Sequence, residues 1–402
     1  MRTLVIIEEI GNMSVSASIV NWSLLKILNK KEGDLDILTL DNISNDLVSE
    51  LNNCHFYFHK KDNVSSFQLL VRKRFTLLQT LFQIIYGNDI SHYNRIKNIR
   101  SFLKRNKNNY KNIILLSGGL GFTPHQSISK INFKENVNII GVYHDPYPLS
   151  SYPKPYKAGN KYYDIFKKRN LQQSLNHLTH IIFPSKRLYE WYQKDYKINA
   201  SKVSIIPHAV QYNDNIKNLK TNRGGKNYTI VHTGTLLEPR NPQSFIEVLN
   251  GFKTKKIRLE FYGSIHKNIY KSIKCYMGDS VLIYNKRIPY NQALNKQKNA
   301  DFLLLIESGQ EFSPFLPTKF VDYVNSGNPI IFLTPDKSEI SRLLTNDYPF
   351  KTTLNNKKKI QYIYENLDNC EKIQLAIKIL NKLKYYFSEN FIDSKYSQIL
   401  NK

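Results

Sequence analysis

One segment toward the C-terminus combines a cation, a carboxylate and a helix start in a pattern that suits an anionic ligand. In SPFLPTKFVDYVNSGNPIIFL (313–333), a Pro-Thr pair ending at Thr318 predicts the start of a helix and Gly327 predicts its end. Lys319 and Asp322 lie three positions apart, which places both on one helical face. A helix N-terminus beside a lysine favours a diphosphate, and a carboxylate there suits sugar hydroxyls. A structural Lys–Asp pair is the alternative.

A second cation follows an earlier strand. The stretch VHTGTLLEPRNPQSFIEVL (231–249) predicts a strand, a glycine turn and a helix, with Arg240 between the turn and the helix. A guanidinium can bond two oxygens of a pyrophosphate at once, because its donors form a planar fork. We therefore interpret Arg240 as a candidate pyrophosphate ligand.

Further candidates follow strands in the N-terminal half of the chain. YHDPYP (143–148) ends a predicted strand and places His144 and Asp145 at its carboxyl end. The imidazole can bond a substrate hydroxyl or phosphate, and the carboxylate can act as a base or accept a hydroxyl hydrogen bond. A structural turn capped by Asp145 is the alternative. Gly11 marks an earlier turn before a helix, which suits either phosphate or sugar binding or an ordinary strand-to-helix connection.

The elements that must position these residues alternate between strands and helices. Short apolar runs predict strands over residues 3–7, 36–40, 112–116, 138–142, 180–183, 203–206, 228–233, 258–262, 281–284, 301–306 and 329–333. Such runs, separated by helical stretches, are typical of parallel sheets covered on both faces.

The polar segment 211–227 divides these strands into two series. We predict a first α/β lobe over 1–210, a linker over 211–227, a second lobe over 228–385 and a C-terminal helix over 386–402. Parallel sheets bind ligands at the carboxyl ends of their strands, so a cleft between the lobes is the expected site.

Composition limits the class of protein. The chain has 402 residues, of which 41% are apolar and 22% charged, as in globular proteins. Its three cysteines lie far apart, which excludes a disulfide scaffold and a CxxC zinc site. No apolar run approaches the roughly 20 residues of a membrane span. Two glutamates interrupt the first apolar run where a secretory signal would continue, so we expect a cytoplasmic protein.

The net charge of +26 is concentrated in part of the first lobe. Residues 60–111 hold twelve basic and two acidic side chains. Within them, 71–87 has the pattern of a basic amphipathic helix, which suits an anionic membrane surface or a core-packed helix with a solvated basic face. The residues expected at a membrane surface are Arg72, Lys73, Arg74, Arg100, Lys104 and Arg105.

Taken in order, the segments resemble the GT-B glycosyltransferases of the GT4 type, the glycosyl transferases group 1 family. The resemblance rests on HDPYP, FPS, IIPHAV, HTGTLLEPRNP, FYGS, RIP and PTKFVDYVNSGNPII, the last of which is close to the family's PxKxxEYxxxGxPI pattern. It covers nearly the whole chain and is firmest over 228–335. It implies an α/β GT-B fold, in which two Rossmann-like parallel-sheet lobes face a cleft and a C-terminal helix crosses back to the first lobe.

The resemblance also implies residue roles. Arg240 and Lys319 would bind the donor diphosphate and stabilise charge on the departing nucleotide, with His144 and Asp145 completing the catalytic set. Asp322 stands where the family has the second glutamate of its Glu-x7-Glu motif, and the first glutamate has no strict counterpart. The donor-binding candidates are Gly11, Gly234, Thr235, Gly263, Arg287, Ile288, Glu311, Ser313, Thr318 and Asp322.

The sequence thus predicts a retaining glycosyltransferase that uses a nucleotide-diphosphate sugar and needs neither a metal nor a cofactor. We expect its acceptor to be a lipid-pyrophosphate-linked intermediate of a surface glycan such as lipopolysaccharide or capsule. It would work peripherally on the anionic inner face of the plasma membrane, without nucleic acid. A GT-B nucleotide-sugar epimerase is the alternative, and a nucleic-acid-binding protein is suggested by net charge alone.

Overall fold

The chain forms two compact units in a computed structural model. One unit comprises residues 1–209 and 389–402, and the other comprises residues 210–388. The structure describes residues 2–8, 10–11, 15–32, 35–39, 43–51, 53–58, 90–117, 122–159, 161–208, 227–252, 256–277 and 280–401.

The first unit is built on a seven-stranded parallel sheet in the order β3-β2-β1-β4-β5-β6-β7. Its strands are β1 Arg2–Ile7, β2 Leu35–Thr39, β3 Cys54–Phe58, β4 Tyr110–Leu116, β5 Asn138–Val142, β6 His180–Phe183 and β7 Val203–Ile205. Among the described residues before 209, its α-helices are α1 Ser16–Glu32, α2 Asn45–Ser49, α3 Ile90–Asn106, α4 Thr123–Ser127, α5 Lys161–His177 and α6 Lys186–Tyr192.

The central strand β1 shows why this sheet is covered on both faces. Successive side chains of a strand point to opposite faces, and residues 4–7 are all apolar and fully buried. Leu4 and Ile6 belong to the core beneath α3, whereas Val5 and Ile7 belong to the core beneath α1. An unbroken apolar run is therefore the sequence pattern that this position requires.

The second unit is built on a six-stranded parallel sheet in the order β10-β9-β8-β11-β13-β15. The strands are β8 Asn227–Thr233, β9 Lys256–Tyr262, β10 Val281–Tyr284, β11 Phe302–Ile306, β13 Ile330–Leu333 and β15 Lys351–Thr352, and β12 Phe312–Ser313 pairs with β14 Lys337–Ser338. The helices are α7 Gln243–Gly251, α8 Lys267–Met277, α9 Tyr290–Lys298, α10 Thr318–Ser326, α11 Glu339–Leu343, α12 Lys357–Glu365 and α13 Cys370–Tyr386.

The last helix, α14 (Glu389–Leu400), belongs to the first unit. Its Ile392 and Tyr396 are buried in the core beneath α1. The side-chain amide of Asn138 donates to the Ile399 carbonyl at 2.9 Å, and Lys30 pairs with Glu389 at 2.5 Å. The chain thus returns to its first unit after completing the second.

These two parallel-sheet units confirm the predicted fold class. Each predicted apolar run contains an observed strand, shifted by at most two residues at either end. The sequence analysis missed β3 and the short strands β12, β14 and β15. The predicted helix at 71–87 lies outside the described residues, and the linker at 211–227 lies outside them but for its last residue, which begins β8. Across the described part of the chain, every helix is too short or too polar to cross a membrane.

Candidate active site

The second sheet brings the strongest sequence candidates to one edge. Strands β8 and β11 are neighbours in the sheet although β9 and β10 lie between them in the chain, so the direction of winding reverses there. Ligands of open parallel sheets bind outside the carboxyl ends of the strands at such a reversal. Gly234 follows β8 there, and Glu307 follows β11.

Lys319 reaches this edge from the first turn of α10. The helix begins at Thr318 and ends at Ser326, with Gly327 in the left-handed conformation at φ 79°, as predicted. The Nζ atom of Lys319 lies 3.4 Å from Nε2 of His232 in β8. Burial, and then the positive charge of Arg240, lower the pKa of Lys319 to about 7. The amine is therefore poised to gain charge when an anion binds beside it.

Gly234 leaves room for that amine, and Gly263 leaves room for the backbone of Gly234. Gly234 has φ 110°, and a Cβ built on it would lie 2.8 Å from Lys319 Nζ. Gly263, after β9, has φ 144°, and its Cβ would lie 2.3 Å from the Gly234 carbonyl oxygen. A side chain at either position would be strained and would collide. The turns after β8 and β9 thus expose backbone at the place where Lys319 points.

Asp322 lies one turn further along α10 and is buried. Its Oδ1 accepts a hydrogen bond of 2.7 Å from the hydroxyl of Tyr290, at the start of α9. Burial raises the pKa of Asp322 to about 7, against the opposing effects of the Tyr290 bond and the Lys319 charge. The carboxyl group therefore sits on the same helical face as Lys319, as the spacing predicted.

The sequence analysis did not single out Glu307, a buried carboxylate that interacts electrostatically with Arg240. Glu307 is 5% exposed and accepts a hydrogen bond of 2.5 Å from Ser313 and another from Thr334. Burial raises the pKa of Glu307, and the two hydroxyl bonds and Arg240 oppose that rise. Because Glu307 directly follows the apolar run of β11, the rule that selected His144 would have found it.

The remaining donor-side candidates are distributed around this edge. Thr235 is half-buried after Gly234, and Ile288 packs against the core of the second unit. Arg287 is exposed. Glu311 is also exposed and pairs with Lys337 at 2.7 Å, whereas Ser313 is fully buried against Glu307. Of the two glutamates that follow β11, Glu311 therefore lies on the surface and Glu307 is buried.

In the first unit, His144 follows β5 and lies among polar groups from neighbouring elements. Its Nε2 is 3.0 Å from Oδ1 of Asn21 in α1, and its backbone N–H donates to Ser117 after β4 at 3.3 Å. Its ring lies 5.2 Å from that of His208. Burial, and then His208, lower the pKa of His144 well below its usual value. Both effects favour the neutral form of the imidazole.

Asp145 adjoins His144, and burial raises its pKa to about 6. Its backbone carbonyl accepts a hydrogen bond of 2.8 Å from the Tyr192 hydroxyl, which fixes the corner after β5. Gly11 is half-buried after β1. Ser185 caps the N-terminus of α6, where its hydroxyl accepts a hydrogen bond of 2.8 Å from the backbone N–H of Leu188.

A second carboxylate missed at the sequence level is Glu8, at the carboxyl end of β1. It is 6% exposed, lies 3.5 Å from Arg95 of α3 and accepts a hydrogen bond of 3.4 Å from the backbone of Thr123. Burial raises the pKa of Glu8, against the charges of His92 and Arg95. Glu8 is a candidate ligand on this edge, because β1 and β4 flank the reversal of the first sheet.

The basic residues expected at a membrane surface fall into three groups. Arg72, Lys73 and Arg74 lie outside the described residues. Lys104 and Arg105, both on α3, are exposed. Arg100 is half-buried instead, and its guanidinium donates to the carbonyls of Gln126 and Ser127, each at 3.0 Å. The Arg100 side chain thus has a structural role within the first unit.

No group of three or more His, Cys, Asp and Glu side chains placed to hold a metal ion occurs in the part of the chain that the structure describes.

A family model supports the sequence resemblance. The model described as Glycosyltransferase Family 4 matches residues 90–213, in the first unit. No curated protein matches the chain significantly.

Several solved structures share the fold. Anabaena Alr3699/HepE in complex with UDP and glucose has a TM-score of 0.66 at 11% identity, with 99% of each chain covered. The lipopolysaccharide outer core galactosyltransferase WaaB has a TM-score of 0.61 at 12% identity, covering 99% of this chain and 100% of its own. A variant of S. aureus TarM in complex with Fondaparinux, alpha-GlcNAc-glycerol and UDP has a TM-score of 0.65 at 10% identity, with 100% of each chain covered.

Identities this low establish the fold, and the family match adds the enzyme class. The resemblance to GT4-type glycosyltransferases and the predicted GT-B fold are therefore confirmed. The chain is a glycosyltransferase.

Proposed function

We propose that this GT-B glycosyltransferase is a retaining, metal-independent enzyme. It transfers a sugar from a nucleotide-diphosphate donor to a lipid-linked intermediate of a surface glycan. The observation that carries the proposal is the position of Lys319, whose amine lies over the α-carbon of Gly234 at the winding reversal of the second sheet. The amine has Arg240 as its cationic neighbour.

Lys319 and Arg240 would stabilise the negative charge that develops on the departing diphosphate. Breaking the bond between the sugar and the diphosphate places negative charge on a phosphate oxygen. Fixed positive groups in a largely buried site stabilise that charge strongly, because little water competes with them. In this proposal Lys319 and Arg240 take the part that a divalent cation plays in other transferases, so the reaction proceeds without one.

The carboxylates and backbone complete the donor site. Asp322 accepts hydrogen bonds from hydroxyl groups of the donor. The hydroxyl of Tyr290 fixes the orientation of the Asp322 carboxylate through a hydrogen bond of 2.7 Å. The backbone at Gly234 and Gly263 is open to close approach by the diphosphate, since neither residue carries a side chain. His144 and Asp145 of the first unit are the residues to which the family resemblance assigns recognition of the transferred sugar and the acceptor.

The acceptor class is supported by the fold neighbours and by charge. WaaB is described as a lipopolysaccharide outer core galactosyltransferase, and the TarM variant was solved with glycan ligands and UDP. The basic stretch 60–111 suits an anionic lipid surface, and Lys104 and Arg105 on α3 are exposed for such a contact.

Product analysis tests the proposal. The purified protein is incubated with UDP-, GDP- or CMP-sugars and a lipid-pyrophosphate-linked acceptor, with EDTA throughout, and the anomeric configuration of the product is read by NMR. We expect one donor class to give a product that keeps the donor's configuration. An inverted product would overturn retention, and turnover only after Mg²⁺ or Mn²⁺ replaces EDTA would overturn metal independence.

A further inference from the structure

We infer that His232 is a positioning residue for Lys319: its neutral imidazole accepts a hydrogen bond from the lysine ammonium and holds it over Gly234. The inference rests on the proposed function of Lys319 as a diphosphate ligand. It adds a residue that the sequence motifs did not indicate.

The contacts of His232 fix which nitrogen carries the proton. Nδ1 lies 2.8 Å from the backbone carbonyl oxygen of Leu304 in β11. A carbonyl can only accept, so Nδ1 carries the hydrogen and Nε2 presents a lone pair. Nε2 faces Lys319 Nζ at 3.4 Å, and an ammonium can only donate. These two contacts are satisfied by the same tautomer, and the backbone of Gly234 is a further hydrogen-bonding neighbour of the ring.

The surroundings keep this imidazole neutral. His232 is 1% exposed, and burial, followed by the charges of Lys319 and Arg240, lowers its pKa well below the usual value. The ring also lies 5.9 Å from that of Phe261 in β9, which limits its rotation. A neutral, fixed acceptor attracts the ammonium without adding positive charge to the site.

The lysine needs such an acceptor because its side chain is long and flexible. Arg240 repels the amine, and Gly234 carries no side chain that could hold it. Asp322 attracts it from one turn away on the same helix. His232 on β8 and Asp322 on α10 thus hold the amine from two different elements.

Two substitutions of His232 separate positioning from packing. In His232→Asn, the amide nitrogen takes the place of Nδ1 and keeps the bond to Leu304, but nothing replaces Nε2. In His232→Gln, the amide oxygen takes the place of Nε2 and keeps an acceptor for Lys319. We expect kcat/KM to fall about tenfold or more in His232→Asn and to recover largely in His232→Gln, since a hydrogen bond to a charged group is lost only in the first.

A second readout does not depend on activity. The chemical shift of the Lys319 ε-carbon, in protein labelled with 13C-lysine and assigned by its loss in Lys319→Arg, reports the pKa of the amine directly. Without the acceptor at Nε2, the buried ammonium is less stable. We expect the pKa of Lys319 to fall in His232→Asn and to stay close to wild type in His232→Gln.

A double-mutant cycle completes the test. On a Lys319→Ala background, His232→Asn should leave the remaining affinity for UDP unchanged, because the group it positions is gone. Equal losses in the Asn and Gln variants, an unmoved Lys319 pKa and additive effects on the Lys319→Ala background would overturn the inference. Should the wild type bind no nucleotide at all, the proposed function fails, while the NMR titration still decides whether His232 holds Lys319.

Discussion

The amine of Lys319 lies directly over the α-carbon of Gly234, where a Cβ would approach it to 2.8 Å. One residue comes from the first turn of α10 and the other from the end of β8, 85 positions earlier in the chain. In the proposed donor site, the helix start and the glycine turn would bind the diphosphate together, with Lys319 as its cation.

Gly234→Ala should therefore disturb the donor site more than the fold. The methyl group would displace the Lys319 amine and must also adopt φ 110°, which costs a residue with a Cβ about 1–2 kcal/mol. We expect UDP affinity to fall at least about tenfold by calorimetry. Gly251→Ala is the matched control, since nothing lies within 4 Å of its Cβ and alanine favours the helix that it ends. Equal affinity in both variants would contradict the arrangement.

Removing either cation should lower turnover without unfolding the protein. Lys319→Ala and Arg240→Ala each delete a positive group that stabilises the departing diphosphate, so we expect kcat/KM to fall by about 10²–10³. Lys271→Ala, on the exposed face of α8, serves as a control for the loss of a positive charge in the same unit. Near-wild-type kinetics in both site variants, measured on folded protein, would refute the assigned mechanism.

Donor affinity should weaken as the pH rises through neutrality. Burial lowers the pKa of Lys319 to about 7 and raises that of Asp322 to about 7. Whichever group loses its proton first, the pair changes from a net positive charge to neutral, and an anionic ligand loses attraction. The dissociation constant of UDP should therefore be lowest below pH 7, and its increase above pH 7 should approach about tenfold per pH unit.

Calorimetric titrations at successive pH values measure this dependence. The double variant Lys319→Met/Asp322→Asn lacks both titrating groups, so its weaker binding should vary much less with pH over the same range. If the wild type instead bound UDP more tightly as the pH rose, the charge assignment at Lys319 would be wrong.

The buried carboxylate of Glu307 should contribute to stability. Glu307→Ala leaves the hydroxyl of Ser313 without its acceptor inside the protein, and an unsatisfied buried donor costs about 1–3 kcal/mol. We expect a lower free energy of unfolding in urea and partial recovery in Glu307→Gln. Glu311→Ala, four residues away, removes an exposed ion pair with Lys337 and should change stability little. A larger loss from Glu311→Ala than from Glu307→Ala would contradict this account.

Attachment to anionic lipid should depend on the exposed face of α3. Replacing Lys104 and Arg105 by serine should weaken binding to phosphatidylglycerol vesicles, because each basic residue near such a surface contributes about 1 kcal/mol. The matched pair Lys271 and Lys274 is equally exposed on α8 of the second unit. Cosedimentation that is the same in both double variants would exclude α3 as the lipid-binding face.

The sequence predicted the local geometry of the proposed donor site where local rules apply. A helix bounded by a Pro-Thr start and Gly327 places Lys319 and Asp322 on one face whatever surrounds it. The apolar runs predicted the parallel strands because both of their faces are buried. Strand β3 lies at the edge of the sheet with three of its five residues exposed, and it was missed because CHFYF has no β-branched residue of the kind that indicated the other strands.

Other parts of the site depend on contacts between distant residues. The bond between Tyr290 and Asp322 joins residues 32 positions apart, and that between His232 and Leu304 joins residues 72 positions apart. His232 stands inside an apolar strand, where the residue pattern does not tell which group its ring will meet. Arg100 belongs to a basic stretch, yet it turns inward to backbone carbonyls because α4 packs beside it.

The central claim is that Lys319 and Arg240 form a donor site that needs no metal, and ligand-detected NMR tests it most directly. Saturation transfer from the protein to UDP-, GDP- and CMP-sugars is recorded with EDTA present, for the wild type and for Lys319→Ala. The account predicts that one nucleotide class binds the wild type regardless of EDTA and that its signal is strongly reduced in Lys319→Ala. Binding that disappears with EDTA, or that is unchanged in Lys319→Ala, would contradict it.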